Sequence, residues 1–162
     1  MIHALKKLSH LQKIDTQSLF LSSIISFRLV GGRYQAHARR EGIEYLGVRP
    51  HSDVKDAIEE GRLVASEWFC YEQFAACVIG DFLSGKLVAI NEKAIALLNQ
   101  KKGDRFVVFK SRDKNCLLTK NRLTEMDIED ELETSYQGIN LIAKKLTENL
   151  FIVFFLEEYY LD

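Results

Sequence analysis

The chain has 162 residues, of which 47% are hydrophobic and 28% charged, with a formal net charge of −1. That length suits one domain or two small units sharing a core, and the composition excludes a disordered chain. The longest apolar run, Leu150–Leu156, has seven residues and is too short to cross a bilayer.

Ile2, Leu5, Leu8, Leu11 and Ile14 recur at threes and predict an amphipathic helix ending near Asp15. No apolar stretch of signal length follows Lys6 and Lys7, so a cytoplasmic protein with no membrane partner is expected. Residues 18–30 fit a second helix or a strand entered at Ile24, and Gly31 with Gly32 ends either one. Residues 33–48 have two readings. In one, Tyr34, Ala36 and Ala38 alternate with polar residues, the chain turns at Arg40-Glu41-Gly42, and Ile43, Tyr45 and Gly47 alternate back as a hairpin. In the other, residues 38–46 are helical.

Further along, residues 52–60 predict a helix capped by Ser52 or Asp53 and stopped by Gly61. Residues 66–83 predict another, apolar most of the way round through Trp68, Phe69, Phe74, Val78, Ile79 and Phe82. Residues 85–90 read as a strand, Asn91 caps a short helix through Leu98, residues 106–109 read as a strand, and residues 116–119 as its return. From about Thr124 the spacing of Leu132, Tyr136, Ile139, Ala143, Leu146 and Leu150 predicts one long helix interrupted by Gly138. Leu150–Leu156 continues that helix or forms a buried strand. The fold expected is α+β, with several helices, a small antiparallel sheet and a long C-terminal helix. Its parts are a mainly helical 1–83, a strand-helix-strand unit at 84–122, and an acidic helix with an aromatic tail at 123–162, within one compact domain.

Charge is laid down in blocks. Residues 1–83 are neutral overall, residues 84–122 carry +7, and residues 123–162 carry −8. A basic block inside a near-neutral chain suggests an anionic partner or an internal docking against the acidic block. Lysines and arginines on strand ends and turns neutralise phosphates, and arginine also forks onto guanine edges. The candidate nucleic-acid-binding residues are therefore Lys86, Lys93, Arg105, Lys110, Arg112 and Lys114.

Catalytic chemistry finds no support. The four histidines form no metal pair at helical spacing, and there is no nucleophile elbow, phosphate loop or dinucleotide fingerprint. The three cysteines contain no CxxC pair and read as reduced thiols. The acidic run at 125–131 lacks the glycine turn of a calcium loop and reads as a helix start favoured by the dipole. No catalytic residue, metal or cofactor is expected, and the chain is read as non-enzymatic.

The basic segment also carries a resemblance. Ile90, the short helix to Leu98, and the Gly103-Asp104 pair before a strand resemble the core signature of the AbrB/MazE swapped-hairpin family, over residues 85–120 only. Asn91, Ile95 and Asn99 stand where that signature has a proline, an arginine and a glycine. The resemblance implies a homodimeric, DNA-binding transcription regulator with interlocked hairpins. A second stretch, from Glu41 through Leu46, Gly47 and Val48 to Leu63, is similar to the excisionase-type helix-turn-helix, which would make residues 52–60 a recognition helix. The leading expectation is thus a cytoplasmic regulator that binds duplex DNA as a dimer. The rival is a protein-binding module, an adaptor, inhibitor or immunity-type protein, whose basic block meets an acidic protein partner. A small-molecule domain with an aromatic pocket is a third class.

Overall fold

The computed structural model describes residues 22–128 and 130–156. The predicted helix at 2–15 and the tail residues Tyr159 and Tyr160 lie outside them. The chain divides between Gln73 and Phe74 into two compact units. The boundary expected at 83/84 falls instead inside a turn of the second unit.

The first unit holds strands β1 (Ile24–Val30), β2 (Arg33–Arg40) and β3 (Ile43–Leu46), then helix α1 (Val54–Tyr71). The strands form an antiparallel sheet in the order β1-β2-β3. Both hairpins close with two-residue loops, Gly31-Gly32 and Glu41-Gly42, and all four residues have positive φ. That is the type I′ turn, whose twist matches the strands it joins. Residues 43–46 are a strand, so the stretch that would supply the first helix of a helix-turn-helix is not helical.

Asp53 caps α1 by accepting from the Lys55 N–H at 2.9 Å. The helix runs through Gly61 instead of stopping there. A Cβ at Gly61 would lie 2.9 Å from Ile25 Cγ2 and 3.6 Å from the His37 carbonyl, so glycine is what lets helix and sheet approach. Burial there outweighs the helix-propensity cost of about 1 kcal/mol. Ser66, where a separate helix is expected to begin, is a mid-helix residue whose hydroxyl donates back to the Leu63 carbonyl.

The second unit holds β4 (Ala76–Asp81), β5 (Leu87–Ile90), α2 (Glu92–Leu98), a 3-10 turn (Val107–Lys110), α3 (Lys120–Glu125), β6 (Glu131–Tyr136), β7 (Ile139–Lys145) and β8 (Leu150–Leu156). Its sheet is antiparallel in the order β5-β4-β8-β7-β6. Every residue of β4 and of β8 is buried. Segment 91–126 contributes Ala94, Phe106, Val108, Leu118 and Leu123 to the core with Val78, Leu141, Phe151, Val153 and Phe155 of the sheet.

The expected fold class is therefore corrected. The described residues hold two antiparallel sheets, of three and five strands, and three α-helices; there is no long C-terminal helix. The spacing of Leu132, Tyr136, Ile139 and Ala143 satisfies a helical stripe, but it also satisfies a strand pair. Leu132 lies opposite Ala143 and Tyr136 opposite Ile139, all on one face of the β6–β7 hairpin. Gly138 is not an interruption in a helix. With Gln137 it forms that hairpin's turn, at φ 50° and 81°.

The helix expected at 66–83 is likewise the end of α1 followed by β4. An unbroken apolar run describes a strand covered on both faces as well as it describes a central helix. The acidic run at 125–131 begins at the last residue of α3 and leads into β6, so it is not a helix start.

Candidate nucleic-acid interface

The six basic residues expected to form one surface all lie in the second unit, and all are exposed. Among the described residues none of them makes an ion pair. Lys86 and Arg105 face each other across an isolated antiparallel bridge at the start of β5. Lys93 sits in the first turn of α2, beyond the other end of β5, on the wall of a cavity of about 520 Å³ lined also by Phe74, Leu97, Ile139 and Phe155.

Lys110 ends the 3-10 turn. Arg112 and Lys114 flank Asp113, which accepts from the backbone N–H groups of Gln137 at 2.8 Å and Asn115 at 3.0 Å. Those two bonds hold the Asp113 carboxyl below its ordinary range. They also fix the loop beside the β6–β7 turn, at the sheet edge opposite β5. The two edges are four strand spacings apart, about 19 Å. Lys86 and Arg105 come together, Arg112 and Lys114 come together, and Lys93 stands at a third place.

The segment that carries the AbrB/MazE resemblance is a strand and a helix followed by irregular chain. Residues 103–106 run beside 85–87 through Leu87 N–H to Asp104 O at 2.8 Å, Gly103 N–H to Leu87 O at 2.9 Å and Phe106 N–H to Gly85 O at 2.9 Å. Residues 107–110 are the 3-10 turn, and 116–119 form no ladder. Asn91, at the signature's proline position, accepts from Cys77 N–H and Ala94 N–H and donates to Ala75 O. Proline could do none of this.

A second basic surface lies in the first unit. Strand alternation sends Ile25, Phe27, Tyr34, Ala36, Ala38, Arg40 and Tyr45 to the face that α1 covers. Ala36 and Ala38 are fully buried there. Arg40 is buried with them and donates to the Phe69 carbonyl at 3.1 Å. The opposite face presents Ser26 and Arg28 from β1, Arg33, Gln35, His37 and Arg39 from β2, and Glu44 from β3. Arg28, Arg33 and Arg39 are all exposed.

Among the described residues Glu44 is the single carboxylate on that open face. It accepts from His37 Nε2 at 2.9 Å, and Arg28 reaches within 4.0 Å of it. The hydrogen bond from His37 holds its carboxyl below the ordinary value, desolvation opposes this, and the charges of His37, Arg28 and Arg39 add to the lowering. His37 Nδ1 lies 3.1 Å from Ser26 Oγ, which fixes the ring across the strands. Arg33 and Arg39 make no ion pair among the described residues.

Sequence reading passed over this face because the neutral total of residues 1–83 averages it away. The signal was present. Residues 16–40 contain four arginines and no acid, and two of them, Arg33 and Arg39, fall on one face of a period-two pattern.

Among the described residues no group of three His, Cys, Asp or Glu side chains could hold a metal ion. No helix among them is long and apolar enough to cross a membrane. Comparison with protein families, with characterised proteins and with solved structures gives no match to this chain.

Proposed function

We propose that this protein binds duplex nucleic acid, and that the open face of the β1–β2–β3 sheet is the contact surface. One observation carries the reading: three exposed arginines and a histidine share one face of a small sheet, against a single acid, while the other face is closed by a helix. Arg33 and Arg39 are six residues apart on β2, about 20 Å along the strand. Base edges are read chiefly in the major groove, about 12 Å wide. Arginine is the side chain best suited to reading it, and each phosphate contact adds to the salt dependence of binding.

The test is fluorescence anisotropy with a random-sequence duplex at two salt concentrations. Arg33→Glu with Arg39→Glu should weaken binding at least tenfold, and each should lower the salt slope by about one. Lys86→Glu with Arg105→Glu should leave both quantities within twofold. The reverse pattern would move the contact to the second unit. Absence of binding by the unaltered protein at low salt would end the nucleic-acid reading in favour of a protein partner.

A further inference from the structure

We infer that β1 is the seam of a homodimer, in which two copies of this chain pair their β1 strands antiparallel about a two-fold axis through Phe27. The inference concerns the edge of the sheet and does not depend on nucleic-acid binding.

β1 is an edge strand. In a hairpin with a two-residue loop, the residues flanking the loop exchange both backbone hydrogen bonds. Val30 and Arg33 flank the Gly31-Gly32 loop, so Ile24, Ser26, Arg28 and Val30 direct their backbone groups to β2. Ile25, Phe27 and Leu29 direct theirs outward, three donors and three acceptors in a row. Soluble proteins blunt such edges with proline, lysine, a bulge or a short strand. β1 has seven residues, no proline, no lysine and an unshifted register. Four of its five exposed side chains are apolar: Ile24 is 53% exposed, Phe27 41%, Leu29 70% and Val30 45%, with Arg28 the fifth.

The sequence of β1 is complementary to itself. Antiparallel pairing centred on Phe27 sets Ile24 against Val30, Ile25 against Leu29, Ser26 against Arg28, and Phe27 against its own copy. Each pair joins like faces, so the helix-covered side of one sheet continues into the helix-covered side of the other. All three outward residues then lie in hydrogen-bonded pairs.

Other registers fail. A one-residue slip sets the covered face against the open one. Centring on Arg28 opposes two arginines directly. Centring on Ser26 leaves Leu29 and Val30 without strand partners. In the register centred on Phe27, the strand's one charge meets a hydroxyl, while its own guanidinium stays near Glu44. The product is a six-stranded sheet, β3-β2-β1-β1-β2-β3, whose open face carries Arg28, Arg33 and Arg39 twice.

Sedimentation equilibrium without nucleic acid tests this. The unaltered protein should show a concentration-dependent monomer–dimer equilibrium in the micromolar range. Phe27→Lys places two like charges on the axis and should raise the dissociation constant at least about tenfold, with an unchanged circular dichroism spectrum. A strictly monomeric protein, or a dimer indifferent to Phe27→Lys, would overturn the proposal.

Disulfide trapping guards against a variant that fails to fold. In a Cys116→Ser background, Phe27→Cys should cross-link on mild oxidation, because hydrogen-bonded antiparallel partners have Cα atoms about 5.5 Å apart, within disulfide reach. Val30→Cys, whose copy lies across the length of the seam, should not. Equal cross-linking at both positions, or none at position 27, counts against the register.

Discussion

The two sheets of this protein solve opposite problems. The five-stranded sheet buries β4 and β8 along their whole length, and its side chains are committed to packing. The three-stranded sheet buries one face under α1 and leaves arginines, a histidine and two edges in water. Stability resides in the closed faces, and recognition is possible only at open ones. The same kind of substitution should therefore cost folding in one sheet and binding in the other.

The sharpest way to break that comparison is at Gly80 of β4. Phe151 lies opposite it, fully buried, with ring centroids of Phe82, Phe106 and Phe109 at 5.3, 5.7 and 5.0 Å. A Cβ at Gly80 would overlap the Cζ end of the Phe151 ring. Gly80→Ala should lower the unfolding free energy by about 3 kcal/mol, measured by urea denaturation. A loss under about 1 kcal/mol would mean that this core is looser than its burial suggests.

Asn91→Ala comes next. It removes the acceptor for Cys77 N–H and Ala94 N–H and the donor to Ala75 O, all in a buried site. About 2 kcal/mol should be lost in the same assay.

A third effect, of similar size but confined to one pH range, lies at alkaline pH. Burial, aided by the charge of Glu67, pushes the Cys70 thiol from 9.0 up to about 11. The thiol stays protonated in the native chain after it has ionised in the unfolded one. Its contribution is thus complete below pH 9 and is lost as pH rises from 9 to about 11. Cys70→Ala should flatten roughly 2 kcal/mol of that decline. An equally steep decline in the variant would assign it to other groups. Smallest of all, Arg39→Glu on the open face should change stability by less than about 0.5 kcal/mol. A larger loss would mean that this face is structural and would weaken its claim to be a binding surface.

The sequence made some of this legible and not the rest. Asn91 and the helix it caps, the break at Gly31-Gly32 and, in one of two readings, the turn at Glu41-Gly42 were readable because each rests on local backbone chemistry within a few residues. The C-terminal third was not. Apolar residues at spacings of four and three fit a helix stripe, and only cross-strand partners distant in sequence decide otherwise. The uniform Leu150–Leu156 run could not declare its periodicity, because a central strand has no polar face. The basic residues at 84–114 were visible as a block along the chain. Their separation was not, since it depends on which sheet edge each loop crosses.

Glu60 of α1 is nearly buried, and its carboxylate takes the Tyr45 hydroxyl at 2.7 Å on one oxygen and His51 Nε2 at 2.8 Å on the other. His51 in turn exchanges backbone hydrogen bonds with Tyr34, at 2.7 and 2.8 Å. One side chain therefore rivets strand, connector and helix, although residues 47–53 belong to no regular element. That connector cannot fray alone. Its amides should open to solvent hydrogen exchange together with the middle of α1, as one cooperative event, and the basic sheet rides on a base that moves as a whole.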